Sequence, residues 1–178
     1  VHSEFKQAAR HAGMYAGVDY ELPATYSQTQ DDSYKELLWP EWVKQQRHSW
    51  HGVDYMYHAK GAVGDLVIDY CETLMGVDES IGTVMAYLEA RGIADETVVI
   101  YMGDNGFSWG EHGLIDKRHF YEESAKVPLL VTCPDLFVAS GTSHSLVQNI
   151  DIAPTIMEMA GLEKKPEMHG DSFLPLLV

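Results

Sequence analysis

The amino-acid sequence predicts an α/β fold, and three observations carry that expectation. An apolar stripe with the helical period runs through residues 63–91. Two short runs rich in β-branched and apolar residues follow, TVVIYM at 97–102 and VPLLVTC at 127–133. A second helical stretch, with proline in its first turn, occupies 151–160. Helix, strand, loop, strand, helix is the order that lays helices against a sheet.

Taken in order, residues 1–32 are polar and broken by Gly13, Gly17 and Pro23, so they read as loop with a short helix near 5–11. Residues 41–50 follow Pro40 and suit a short helix; 49–57 are aromatic and glycine-interrupted, hence loop. In the long helix, Leu66, Tyr70, Leu74, Val77, Ile81, Val84 and Leu88 step by three or four and share one face, expected to pack into a core. Gly76 and Gly82 each cost about 1 kcal/mol relative to alanine, which predicts a kink or break near Gly76. Gly92 is the expected left-handed stop. The run at 97–102 is apolar throughout, as in a strand buried on both faces of a parallel sheet, and 127–133 reads the same way with Pro128 at its start. At 151–160, Asp151 is the candidate N-cap, Pro154 lies in the first turn and Gly161 stops the helix.

The 178 residues suffice for one domain, with 46% hydrophobic and 22% charged residues, the composition of a folded globule. No apolar run approaches the ~20 residues of a membrane span. Twelve basic against 27 acidic residues give a net charge of −15, which argues against nucleic acid and anionic membranes as partners. Cys71 and Cys133 form no CxxC; a disulfide and two free thiols both stay open, the free state being the commoner. The chain begins at Val1-His2 without methionine and ends within an apolar run, so both ends are expected to be cut.

The chemistry gathers behind the first apolar strand. Gly103-Asp104-Asn105-Gly106 stands at its carboxyl end, where open α/β sheets bind ligands. A carboxylate followed by an amide offers two adjacent oxygens suited to a hard cation such as Ca2+, with flanking glycines to let the backbone turn. Alone the motif is more often a plain turn. The stretch 110–124 that follows holds two histidines, acids and Lys117-Arg118, in a loop of about twenty residues, and loops of that length inside a compact domain are usually functional. Lys117 offers a compact positive charge to one oxygen of a tetrahedral anion; the bland alternative is a solvated loop with ion pairs.

These motifs resemble the type I sulfatases of the alkaline-phosphatase superfamily. The resemblance rests on Asp104-Asn105-Gly106, on GEHGL at 110–114, on Lys117-Arg118-His119-Phe120-Tyr121-Glu122, and on Val127-Pro128. It continues through Asp-Ile-Ala-Pro-Thr at 151–155 and Gly-Asp-Ser-Phe-Leu-Pro-Leu at 170–176, and spans residues 78–177. Val1-His2-Ser3-Glu4-Phe5 resembles the tail of a further family strand. In motif detail the chain is similar to glucosamine-6-sulfatases and bacterial polysaccharide sulfatases.

The resemblance implies an alkaline-phosphatase-like sandwich, a central mostly parallel sheet flanked by helices, of which residues 1–178 would be the carboxyl-terminal part. It implies a sulfuric ester hydrolase acting on a sulfated carbohydrate or aryl sulfate, with Asp104 and Asn105 as Ca2+ ligands. Lys117 and His2 would be catalytic and contact the sulfate, with His112 as a weaker substrate contact. The family's nucleophile is a formylglycine made in a Cys/Ser-x-Pro-x-Arg motif. Neither Cys71 nor Cys133 stands in one, and Asp31-Asp32 does not fit the early metal-binding pair. The nucleophile is therefore expected upstream, the stretch alone is expected to be catalytically silent, and it would need the rest of its domain to fold. Export to the periplasm or beyond is the family expectation. A phosphodiesterase or phosphonate hydrolase of the same superfamily, and a non-catalytic metal-binding module, are the alternatives.

Overall fold

The computed structural model describes residues 5–27, 40–56, 61–137 and 141–178. The helices are α1 (Glu41–Gln45), α2 (Val63–Ala90), α3 (Glu122–Ala125) and α4 (Ile152–Met159). The strands are β1 (Val99–Met102), β2 (Ser108–Trp109), β3 (Ile115–Asp116) and β4 (Leu129–Thr132). Short 3-10 turns stand at Gln46–His48, Glu111–Gly113, Asn149–Asp151 and Leu174–Leu176. The chain divides into two compact units, one of Val1–Met85 with Asn105–Val127, the other of Ala86–Asp104 with Pro128–Val178.

In the first unit, α2 begins under a core of Val53, Met56, Val63 and Ile115, against which Tyr20, Tyr26, Leu66, Val67 and Phe107 pack. Phe5, Tyr70, Phe107 and Trp109 form an aromatic cluster, with Tyr70 and Phe107 ring centres 4.5 and 4.3 Å from that of Trp109. Residues 5–11 are not the expected helix but enter a run of turns, because their polar side chains reach across to α2. The Gln7 amide donates to Glu72 at 2.8 Å, the Tyr15 N–H donates to the same carboxylate, and His11 meets Glu79 at 2.7 Å beside Arg10. This is why Glu72 can lie buried on α2: its charge is hydrogen-bonded. Arg10 and His11 likewise hold the exposed Glu79 carboxyl down at about 2.

α2 runs as one helix through Gly76 and Gly82, so the chain does not break there. A Cβ at Gly76 would lie 4.0 Å from the His11 Cε1, an ordinary contact, so packing there does not demand glycine. The apolar stripe is covered only over its first half. Leu66 packs on the core, but Ile81 and Val84 are exposed, since no described segment lies over them. Gly92 ends α2 at φ +68, with the Gly92 and Ile93 N–H groups donating to the Glu89 and Leu88 carbonyls, a Schellman closure. Gly161 closes α4 the same way.

In the second unit, β1 and β4 pair antiparallel, in the register Val99↔Thr132 to Met102↔Leu129. Each run reads from sequence as a strand of a parallel sheet, but a run without alternation reports burial, not direction. Nor is burial complete: β1 is half-buried along its length and β4 alternates half-buried with exposed. Cys71 and Cys133 are both free, and the buried Cys133 thiol donates to the Asp95 carbonyl. Asp151 occupies the N-cap position of α4 as expected, but its carboxylate accepts from the Gln148 and Asp171 N–H groups instead of capping that helix. Thr155 is fully buried; its hydroxyl donates to the Asp151 carbonyl at 2.6 Å and accepts from the Phe173 N–H at 3.0 Å. Thr155→Val keeps the shape but leaves the Phe173 N–H unmet, and should cost the full-length protein about 2 kcal/mol, read from urea denaturation.

Candidate active site

The tip beyond β1 is built by backbone contacts. The Gly103 N–H donates to the Pro128 carbonyl, continuing the ladder one residue past Met102. Asp104 follows, exposed, its backbone carbonyl accepting from the Asn149 side chain at 3.4 Å. The half-buried Asn105 donates its side-chain N–H to the Gly106 carbonyl at 2.8 Å. The flanking glycines are not there for a left-handed turn, since neither Gly103 nor Gly106 has positive φ. Gly106 is required by close approach: a Cβ there would stand 2.0 Å from the Glu123 carbonyl oxygen, and its N–H donates to the Ser124 carbonyl. A carboxylate and an amide oxygen in succession are hard donors and fit Ca2+ in type.

The segment expected as a long loop is an ordered hairpin. β2 and β3 pair Ser108 with Asp116 and Trp109 with Ile115, and the turn between them uses φ +113 at Gly110, +56 at His112 and +72 at Gly113. His112 donates its backbone N–H to the Thr25 hydroxyl, and its ring stacks on Tyr121 at 3.9 Å between centres. Its Nε2 lies 3.9 Å from the Glu123 carboxylate. The His112 ring thus serves as packing for the loop around Tyr121.

Residues 47–54 hold this hairpin from outside. The Ile115 N–H donates to the His51 carbonyl at 2.8 Å, the Val53 N–H to the Gly113 carbonyl at 3.1 Å, and Gly52 bridges Leu114. Arg47 is buried; it donates to Asp54 at 3.1 Å and to the Tyr26 carbonyl at 2.7 Å while lying over the Tyr26 ring. The sequence offered no sign of this clamp beyond Gly52 in a tryptophan-histidine stretch, because its partners lie sixty positions away.

Around the end of β3 the charged groups converge. Asp116 is buried and has φ +101; its carboxylate accepts from Arg118 and meets the His51 Nδ1 at 2.9 Å. Lys117, between them, is half-buried and makes no ion pair among the described residues. Burial pushes the His119 imidazole below its ordinary value of 6.5; the Asp116 charge pulls it up, and His51, Arg118 and His112 push it further down. His119 Nδ1 is buried without a hydrogen-bond partner among the described residues. His2, the other residue expected to touch sulfate, and Asp31-Asp32 lie outside the described residues. Lys117 was singled out from the sequence, whereas the contacts of Asp116 with His51 and Arg118 beside it were not.

Residues 110–178 match the family described as N-sulphoglucosamine sulphohydrolase, C-terminal. Over 109 residues the chain is 42% identical to the N-acetylglucosamine-6-O-sulfatase of Bacteroides thetaiotaomicron, an alignment covering 61% of this chain and 20% of that protein. The human N-acetylglucosamine-6-sulfatase is 43% identical over 108 residues, 60% of this chain and 19% of the relative. The match therefore spans about a fifth of these curated relatives. Among solved structures, BT4656 in complex with its substrate D-glucosamine-2-N,6-O-disulfate superposes with a TM-score of 0.75 at 26% identity, covering 99% of this chain and 45% of that one. The alkaline-phosphatase-like α/β architecture is that of these neighbours.

The depressed His119 predicts an acid-sensitive hairpin. A histidine whose folded value lies below its unfolded one binds protons preferentially when unfolded, so its contribution is fully present above pH ~6.5 and is lost as pH falls through the unfolded value toward the folded one. The urea midpoint of the full-length protein should fall between about pH 6.5 and pH 5, and His119→Gln should flatten that slope.

Proposed function

We propose that the whole protein is a calcium-dependent hydrolase of sulfate esters on a glucosamine-type sugar. The observation that carries this reading is the half-buried Lys117, outside any ion pair among the described residues, within the 110–178 segment that matches the sulfatase family. The similarity to N-acetylglucosamine-6-sulfatases and to a disulfated glucosamine complex supports a 6-sulfated glucosamine as the substrate.

Sulfate ester cleavage moves negative charge onto the leaving oxygen while the other sulfate oxygens stay anionic. In this reading the Lys117 ammonium donates to one of those oxygens, and it is worth more in the transition state than in the ground state because the charge there is less well solvated. His2 would hold a proton at the leaving oxygen of the sugar, the role its place in the family pattern implies. Asp104 and Asn105 would supply two oxygens to Ca2+, which contributes a fixed positive charge beside the sulfate when bound. His112, stacked on Tyr121, would shape the loop and be the weaker substrate contact. Together these groups explain how a chain of net charge −15 holds an anion. Cys71 and Cys133 lie outside any formylglycine motif, so the described residues provide charge stabilisation and leave the nucleophile to other parts of the protein. The 178-residue stretch by itself should then release no sulfate.

With full-length protein and N-acetylglucosamine-6-sulfate, Lys117→Ala should lower kcat/KM about 10²- to 10³-fold, measured by sulfate release. A calcium chelator should abolish turnover and added Ca2+ restore it. Faster hydrolysis of a phosphonate monoester than of any sulfate ester would overturn the assignment.

A further inference from the structure

We propose that Asp116 is a positioning residue, clamped by His51 and Arg118, that sets the direction of Lys117 and keeps its ammonium available for an anion. The inference deepens the reading of Lys117 as a sulfate contact and rests on it.

The starting observation is a backbone outlier. Asp116 has φ +101 although it carries a side chain, a conformation that persists only where the surroundings over-determine it. The surroundings do so from both directions. On its amino side, the Ile115 N–H is tied to the His51 carbonyl at 2.8 Å, and the β2–β3 register sets Asp116 opposite Ser108. On its side chain, the buried carboxylate is met by the His51 ring at 2.9 Å and by the Arg118 guanidinium. His51 thus contacts the hairpin twice, once through its carbonyl and once through its imidazole. The torsions of Asp116 decide how the chain leaves β3, and the next Cα is that of Lys117. Relaxation of Asp116 to negative φ would swing the lysine stem.

Charge gives the second half of the argument. A buried carboxylate one residue from an ammonium is the obvious competitor for it. Here the carboxylate is occupied by Arg118 and His51, and Lys117 makes no ion pair among the described residues. Arg118, read from sequence as a second cation of the pair, serves as the counter-ion of Asp116. The clamp spares the lysine.

The test uses the full-length protein and N-acetylglucosamine-6-sulfate, with kcat, KM and the thermal midpoint measured for each variant. Asp116→Gly accepts positive φ without strain but removes the carboxylate. Asp116→Asn keeps an accepting oxygen. His51→Ala removes the imidazole, and His51→Asn places an amide N–H close to where Nδ1 stands. Asp116→Gly and His51→Ala should each lower kcat at least tenfold with a smaller change in KM, and His51→Asn and Asp116→Asn should recover most of that loss. On a Lys117→Ala background, Asp116→Gly should have no further effect, because the clamp acts through the lysine. Losses that add in full on that background, or that merely follow the thermal midpoint without rescue, overturn the inference while leaving the sulfatase reading intact. A wild-type protein that cleaves no sulfate ester overturns both.

Discussion

Residues 113–116 comprise a turn and a strand of two residues, and a hairpin that short does not hold itself in water. It is held by residues 47–54, through hydrogen bonds from Val53 to Gly113 and from Ile115 to His51 and through the Gly52–Leu114 bridge. Leu114 and Ile115 are consequently sealed, with 1% and 0% of their surface exposed. Glycine is needed at two points here, once to close the 47–54 turn on itself and once in the hairpin, where Gly113 has φ +72. A Cβ at Gly52 would stand 1.9 Å from the Arg47 carbonyl oxygen, and one at Gly113 would stand 2.9 Å from the Arg47 guanidinium. Arg47 in turn is fixed by Asp54 and by the Tyr26 carbonyl and ring. The candidate site therefore depends on a contact between segments far apart in sequence, whose energy comes from sealing apolar residues and satisfying backbone groups together.

The same economy governs the buried charges of the first unit. Glu72 is met by Gln7 and the Tyr15 N–H, Arg47 by Asp54 and a carbonyl, Asp116 by Arg118 and His51. An ion buried without partners would cost several kcal/mol, so each such residue defines where a distant segment must lie. Buried ion pairs of this kind add little to stability, but each breaks badly when one member is removed. They act as registration marks that fix distant segments to one another.

Much of this was legible in the sequence, and what was not has identifiable causes. The stripe from Leu66 to Leu88, the stops at Gly92 and Gly161, and the strands near 99–102 and 129–132 follow from local periodicity and backbone preference. Asp104, Asn105 and Lys117 were singled out through motif order. The helix expected at 5–11 failed because Gln7, Arg10 and His11 gain more by bonding to Glu72 and Glu79 than by staying helical, and that gain depends on α2. Antiparallel pairing of β1 with β4 could not be read from two apolar runs. Gly106 was correctly singled out for the wrong reason: its absent side chain makes room for the Glu123 carbonyl, which no local rule reveals.

The Lys117-Arg118 pair shows how far composition can mislead about a site. Two adjacent cations invite the view that both receive the anion, doubling the attraction. The geometry separates them, since Arg118 is bound to the buried Asp116 and Lys117 is not in any ion pair among the described residues. An arginine suits the first task, because its planar guanidinium spreads charge and tolerates burial beside a carboxylate. A lysine suits the second, because a compact ammonium on a long stem concentrates its charge at one oxygen. Exchanging the two types would put the diffuse charge where the sulfate is expected and the strongly hydrated one beside a buried acid. In the proposed reading, the order Asp-Lys-Arg, and not the number of positive charges, is the physical content of the motif.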